Sequence, residues 1–280
     1  MYTYYETDST DPCFNLAMEE HLLLHHREGD ILMFWQNDNT IVVGCNQNTE
    51  AEINRRYVDE HGVTVVRRTT GGGAVYHDLG NLNFSLITDF SDDGDTSLAR
   101  FLEPMAEALR QLGLPAEVGG RNDITVAGKK VSGNAQRIDA GRILHHGTLL
   151  FECDPDKVAG ALQVDETKLR AKGIRSVRSR VGDIHSFLPP ETRMEDFKRA
   201  LKQQLLGDAD AKSERLPTEK WRASAPQRSR NTAAGNGPSG SPGISTTSES
   251  AGFRTACWRS ATIWTAAGSA VSPLPAITSP

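Results

Sequence analysis

Residues 124–132 read Ile-Thr-Val-Ala-Gly-Lys-Lys-Val-Ser, two short β-prone runs with Ala127-Gly128 between them. A two-residue turn of this kind reverses the chain tightly and pairs its flanks as antiparallel strands. It commits part of the chain to antiparallel pairing and argues against a doubly wound, all-parallel sheet. Ile31–Trp35 and Thr40–Gly44 bracket Asn37-Asp38-Asn39, a second hairpin signal. Val63–Arg67, Asn83–Ile87 and Ile143–Phe151 are further strand-like runs. Asn15–His26 reads as a helix just after the Asp11-Pro12 turn, and Ala51–His61 as a helix closed by Gly62. Leu98–Leu112 reads as a helix ending at Gly113, with Pro104 as a kink or second start. Pro155–Leu162, Asp165–Gly173 and Met194–Leu206 read as helices too. The expected class is α/β in the α+β sense, with mixed or antiparallel sheets and flanking helices.

Composition divides the chain near Trp221. Residues 1–221 carry 26 Lys/Arg against 35 Asp/Glu, whereas residues 222–280 carry five Arg, one Glu and no Lys or Asp. In that second stretch 41 of 59 residues are Ala, Gly, Ser, Thr or Pro. It has too little apolar surface to offset the entropy of ordering, so it is expected to be largely disordered. The expected organisation is a catalytic domain over 1–221 followed by a low-complexity tail over 222–280.

The net charge of −5 argues against a general nucleic-acid binder. No apolar run reaches the roughly 18 residues that a membrane-spanning helix needs, and no basic-then-apolar leader is present. The four cysteines, Cys13, Cys45, Cys153 and Cys257, are far apart and form no CxxC pair. A reducing, cytoplasmic setting is the expectation.

Three stretches carry chemistry. Arg67-Arg68 precede Thr69-Thr70 and then Gly71-Gly72-Gly73. Three glycines allow backbone that other residues cannot adopt and let a ligand approach the main chain. The arginine fork matches phosphate or carboxylate. The run is neither GK[ST] nor GxGxxG. On spacing alone, a glycine-rich turn beside a surface Arg pair explains it equally well. In the second stretch, Asn122-Asp123 and Lys130 with Ser132-Gly133 place one cation and one carboxylate on a hairpin. The lysine could sit over a reacting phosphate or carboxylate, or simply face solvent. Lys129 and Lys130 alternate, so only one can face a site. In the third, His145 and His146 are adjacent on a strand, and so point to opposite faces. His21 and His25 have helical i, i+4 spacing without an evident third metal ligand. Cys153 is either a thiol nucleophile or a small buried residue at a strand end.

Taken in order, RRTTGGGAVYHDLGNLNFS, GRNDITVAGKKVSGNAQR, HHGTLLFECD and LRAKGIRSVRSRVGDI closely resemble lipoate-protein ligases. The likeness runs from about Thr10 to Asp183. It implies a biotin-ligase-like catalytic fold and an ATP-dependent reaction accompanied by Mg2+. Lipoate would be activated as lipoyl-adenylate and passed to a lysine of a lipoyl domain. The family's usual acceptors are glycine-cleavage H protein and 2-oxoacid dehydrogenase E2 subunits.

Carried over by motif, Arg68 and Thr70 would contact the phosphate and carboxylate side of the adenylate. Gly71, Gly72, Gly73, Ala74 and Val75 would wrap it through the backbone, and His77 would line the pocket. Asn122 and Asp123 would hold the nucleotide and its metal. Lys130, before Val131, Ser132 and Gly133, matches the family's central lysine. His146 and Gly147 would lie along the pocket wall. Charge and the lack of long apolar runs lead to the expectation of no nucleic-acid or membrane partner, and a monomer is expected.

Larger family members carry a small, charged and aromatic-rich domain after the catalytic one. Residues 222–280 do not have that composition and read as out-of-frame translation of a GC-rich gene. Two other readings stay open: a cysteine-dependent octanoyl or lipoyl transferase using Cys153, and a truncated, non-catalytic binder of the adenylate or of a lipoyl domain.

Overall fold

A computed structural model describes residues 2–90, 96–120, 122–163 and 181–207, with the backbone of 212–215. The helix expected over Asp165–Gly173, most of the fourth motif and the 222–280 tail lie outside the described residues.

Elements run β1 Tyr2–Glu6, α1 Pro12–His25, β2 Asp30–Trp35, β3 Thr40–Val43, α2 Thr49–Glu52, α3 Arg55–His61, β4 Thr64–Arg67, β5 Val75–His77 and β6 Asn81–Asp89. They continue α4 Leu98–Gln111, β7 Ala116–Gly119, β8 Asp123–Val126, β9 Lys129–Asp139, β10 Arg142–Leu150, α5 Pro155–Ala161, a 3-10 turn at His185–Phe187, α6 Met194–Leu206 and β11 Lys212–Arg215. Among the described residues, eight strands form one sheet in the order β11-β1-β2-β6-β10-β9-β8-β7, and β4-β3-β5 form a second. β1 pairs in parallel with both β2 and β11. The rest of the large sheet is antiparallel. This is the expected α+β class, with mixed sheets and flanking helices.

Alternation along the strands gives the large sheet two different faces. Leu32, Phe34, Phe84, Leu86, Ile143 and Leu149 point into a core closed by Phe101, Leu102 and Met105 of α4 and by Phe197 and Leu201 of α6. On the opposite face, Ile31, Met33, Trp35, Ile87 and Leu144 meet Leu16, Met18, Leu22 and Leu23 of α1, together with Val42 and Val66 of the small sheet. Eight consecutive residues of β6, Asn81–Thr88, are buried, as a central strand covered on both faces must be.

Local signals place the helix ends. Asp11 caps α1 by accepting from Cys13 N, and Pro12 occupies the first turn, where a missing N–H costs nothing. Gly62 ends α3 at φ 61°. Ala127 and Gly128, at φ 49° and 76°, make the tight turn between β8 and β9.

Three local expectations change. β2 and β3 are not a hairpin: β2 pairs with β1 and β6, and β3 pairs with β4 and β5, so Asn37–Asn39 carries the chain from one sheet to the other. The Ala51–His61 helix is two helices. Ile53 leaves helical geometry to bridge Leu162, and Asn54 caps α3 by accepting from Tyr57 N. Pro104 does not interrupt α4.

Candidate active site

The β8–β9 hairpin carries the cation. Lys130 Nζ lies 2.7 Å from Asp123 Oδ1, with both side chains partly open to solvent, whereas Lys129 faces solvent. A register irregularity between Ile124 and Thr125 interrupts the ladder beside Lys130. Gly133 leaves the space the ammonium uses, because a Cβ there would stand 3.0 Å from Lys130 Nζ. The hairpin is clamped at its open end. Asn122 Nδ2 donates to Asn134 O at 2.7 Å, and Asn134 N and Nδ2 both donate to Asn122 O, at 3.0 and 3.1 Å. Asn134 Nδ2 also donates to the buried Ser132 Oγ at 2.9 Å. Gly182, in the described end of the fourth motif, donates its N–H to Lys130 O at 2.7 Å and holds the hairpin from outside.

The glycine loop is braced from within. Arg68 is buried, and its Nη2 donates to Gly71 O at 2.7 Å and Gly73 O at 2.8 Å. Its Nη1 donates to Val42 O and its Nε to Thr70 Oγ1, both at 3.0 Å. Burial lowers its pKa to about 10, so it stays charged near neutrality. Arg67 grips the carbonyls of Gly44 and Gln47 at 2.7 and 2.8 Å, and Thr49 Oγ1 at 2.7 Å. Gly72 sits at φ 97°, a backbone that L side chains rarely adopt, and its carbonyl would stand 2.2 Å from a Cβ at Gly44. The two arginines therefore shape the loop. Ala74 packs towards the α3–α5 cluster and Val75 towards the α1 cluster.

The adjacent histidines part as strand alternation requires. His145 stacks on Phe101, ring centroids 4.9 Å apart, and shares a 3.2 Å hydrogen bond with Asn134 Oδ1. Burial drops its pKa to about 3, so it is a neutral core residue. His146 faces the site. Its Nδ1 lies 2.8 Å from Glu19 Oε1, and its Nε2 2.7 Å from Thr70 Oγ1. Gly147 admits Asn134: a Cβ there would stand 2.1 Å from Asn134 Oδ1 and 2.7 Å from Phe84 Cζ. His77 is also buried, and its pKa falls to about 3, through burial first and then the charge of Arg68. Asn37 Nδ2 donates to its Nδ1 at 3.2 Å, which leaves Nε2 as a buried donor without a partner among the described residues.

Register places these groups on one face. His146 on β10 stands opposite Ala135 on β9, and Gly133, two residues along β9, stands opposite Asp123 on β8. From His146 to Asp123 is two strand spacings, about 10 Å across the sheet. That face is cationic at Lys130, tied to the glycine loop through the Thr70–His146 hydrogen bond, and apolar towards Met33, Trp35 and Leu144. It can take a ligand with an anionic head and an apolar tail.

Glu19, Ser85, Trp35 and Asn134 also belong to this arrangement; Ser85 and Asn134 lie inside the motifs without an expected role, and Glu19 and Trp35 lie outside them. The signal for Glu19 was available: it is an acid between Leu16, Leu22 and Leu23 on the buried stripe of α1. Cys153 follows β10 and, among the described residues, makes no hydrogen bond with Lys130, Arg68 or His146. Burial first, then Asp78, Asp183 and Asp154, push its thiol up to about 12. His21 and His25 are ring neighbours at 4.8 Å, and among the described residues no group of three His, Cys, Asp or Glu could hold a metal ion. No helix among them is long and apolar enough to cross a membrane.

Residues 11–206 match the family described as lipoyl protein ligase A/B catalytic domain. Lipoate-protein ligase LplJ of Bacillus subtilis (strain 168) is 50% identical over 203 residues, covering 71% of this chain and 61% of its own. The chain thus spans about three fifths of that relative's length. Two solved structures superpose on most of it. One is a bipartite lipoate protein ligase from Thermoplasma acidophilum, described with its E2 lipoyl domain. It has TM-score 0.68 and 29% identity, over 79% of this chain and 90% of that one. The other is a lipoate-protein ligase A bound with ATP, with TM-score 0.67 and 27% identity, over 79% and 92%.

Proposed function

Because this chain belongs to the lipoyl protein ligase A/B catalytic-domain family, we propose that it activates lipoate with ATP and transfers the lipoyl group to a lysine of a lipoyl-domain protein. The observation that carries the reading is the Lys130–Asp123 pair on the same sheet face as the Arg68-braced glycine loop.

The chemistry brings two anions together. A lipoate carboxylate oxygen attacks the α-phosphorus, an acyl–phosphate bond forms, and the bond to the bridging oxygen breaks with its electron pair leaving on pyrophosphate. Lys130 offers a fixed ammonium between carboxylate and α-phosphate, where negative charge concentrates. The acceptor lysine, as a neutral amine, then attacks the acyl carbon. The acyl C–O bond breaks, AMP leaves, and the amine proton passes to solvent. Lys130 again neutralises the departing phosphate. The glycine loop wraps the adenylate through its backbone, with Arg68, Thr70 and His77 around it.

Asp123 would hold the magnesium that accompanies ATP, and the ion would neutralise phosphate charge when bound. One carboxylate suits an ion coordinated mainly by phosphates and water. Asn122 belongs to the same nucleotide end. Glycine-cleavage H protein and 2-oxoacid dehydrogenase E2 subunits are the acceptors proposed.

The test is intact-mass measurement of an acceptor lipoyl domain incubated with this chain, lipoate, ATP and Mg2+. The expected result is a gain of one lipoyl group that depends on ATP. No mass gain, with lipoyl-adenylate also absent, overturns the reading. The thioester alternative is disfavoured by Cys153, a thiol held protonated among carboxylates.

A further inference from the structure

Glu19 is buried on α1, and its Oε1 takes two hydrogen bonds, from Ser85 Oγ at 2.5 Å and from His146 Nδ1 at 2.8 Å. Ser85 Oγ accepts in turn from Trp35 Nε1 at 2.9 Å. Across the imidazole, His146 Nε2 meets Thr70 Oγ1 at 2.7 Å, and Arg68 Nε donates to the same hydroxyl oxygen at 3.0 Å. All six side chains are buried.

With a neutral imidazole and an ionised Glu19, the protons of this chain have one arrangement. Ser85 has a single hydroxyl proton and gives it to Glu19. The carboxylate can only accept, so His146 must carry its proton on Nδ1. Nε2 is then bare and must accept, so it takes the one proton of Thr70. The lone pairs of Thr70 are left for Arg68 Nε–H. The other Arg68 donors reach Val42 O, Gly71 O and Gly73 O. With the proton on Nε2 instead, Thr70 would receive two donors and its own proton would lose the imidazole.

We propose that Glu19 is a positioning residue of this site: it fixes His146 as the Nδ1–H tautomer and, through Thr70 and Arg68, sets the shape of the Gly71–Gly73 loop. The carboxylate sits at the apolar end of the face and acts on the phosphate end through a chain of four side chains. Buried, fully satisfied networks of this kind hold one geometry, because breaking any member leaves a buried polar group unpaired. The inference rests on the reading of the loop as the adenylate cradle.

The experiment uses the full chain and three variants, Glu19→Gln, Glu19→Leu and Phe197→Leu. The last cuts into the core on the opposite face of the sheet. The first readout is the His146 tautomer by 15N NMR of imidazole-labelled protein, assigned against His146→Gln. The second is lipoate-dependent ATP–pyrophosphate exchange. Wild type and Glu19→Gln, which keeps the accepting oxygen, are expected to hold the Nδ1–H tautomer and most of the exchange activity. Glu19→Leu is expected to lose the tautomer and, because the loop shifts, about 100-fold in kcat/KM for exchange. Phe197→Leu should lower Tm without that loss. Should Glu19→Leu fail to fold, Thr70→Val cuts the same chain with little change in volume, and the same loss is expected. An unchanged tautomer in Glu19→Leu, or an exchange loss no greater than that of Phe197→Leu, overturns the inference. A wild-type chain with no exchange at all removes the ligase reading instead, and the tautomer measurement still decides the relay.

Discussion

Asp123 Oδ1 lies 2.7 Å from Lys130 Nζ, close to the tight turn at Ala127-Gly128. The pair fixes the position of the ammonium on the sheet face. Lys130→Ala is expected to lower adenylate formation about 100- to 1,000-fold, the usual cost of losing one donor at developing charge. Lys130→Arg should recover part of it, since the charge returns in the wrong shape. Pyrophosphate exchange measures both. A fully active Lys130→Ala protein would remove Lys130 from the chemistry.

Gly147 is expected to be a packing requirement before it is a binding residue. A methyl group there would meet Asn134 Oδ1 at 2.1 Å and Phe84 Cζ at 2.7 Å. Gly147→Ala should cost about 1–3 kcal/mol by overpacking. Because Asn134 clamps Asn122, activity should fall together with stability. Urea unfolding and exchange activity on the same preparation check this.

His77 and His145 are neutral in the fold, with pKa values lowered from 6.5 to about 3. Between these values the unfolded chain binds a proton at each position that the folded chain does not. Stability therefore rises with pH in this window, and falls as the solution is acidified below about 6.5. The slope is about 1.4 kcal/mol per pH unit for each histidine. His145→Gln keeps a donor for Asn134 and should reduce proton uptake on unfolding at pH 5 by about one. Urea titrations at pH 5 and pH 6 give that number. An unchanged pH slope would place the acid sensitivity elsewhere.

Cys153→Ala should leave the acceptor mass gain intact. Burial and the neighbouring Asp78, Asp183 and Asp154 hold the thiol near pKa 12, far from a thiolate at neutral pH. Loss of transfer in this variant, together with transfer that needs no ATP, would instead support a thioester enzyme.

The composition change after Trp221 predicts a shifted reading frame. Translation of the coding DNA in the other two frames should recover a charged, aromatic-containing stretch. With the tail as it stands, transfer from preformed lipoyl-adenylate should outpace adenylate formation. Neither frame yielding such a stretch, or full-speed pyrophosphate exchange by this chain, would count against the replaced-domain reading.

Features set by adjacent residues are legible in the sequence. The Ala127-Gly128 turn, the parting of His145 from His146 and the helix Met194–Leu206 each follow from a few adjacent residues. What depended on distant partners was not legible. Ile53 breaks a continuous helical pattern because Leu162, far along the chain, bridges to it. Asn37–Asn39 has turn chemistry, but turn chemistry does not say whether the next strand returns to the same sheet. At the site, Arg68 reads as an anion fork, yet a fork fits the carbonyls of its own loop equally well, and all its described bonds go to protein acceptors. Glu19 belongs to no motif. Its only sequence trace is an acid where the helical stripe calls for an apolar residue.

The parallel pairing of Tyr2–Glu6 with Lys212–Arg215 joins segments separated by most of the described chain. During synthesis, β1 can pair with β2 soon after both emerge, but its outer edge must wait until the ribosome has made residue 215. For that interval the sheet carries a strand edge open to other chains, the condition under which nascent proteins aggregate or recruit chaperones. Closing so large a loop is also slow. Completion of this edge is therefore expected to be a late event in folding, after the site-bearing strands β6, β9 and β10 are already paired.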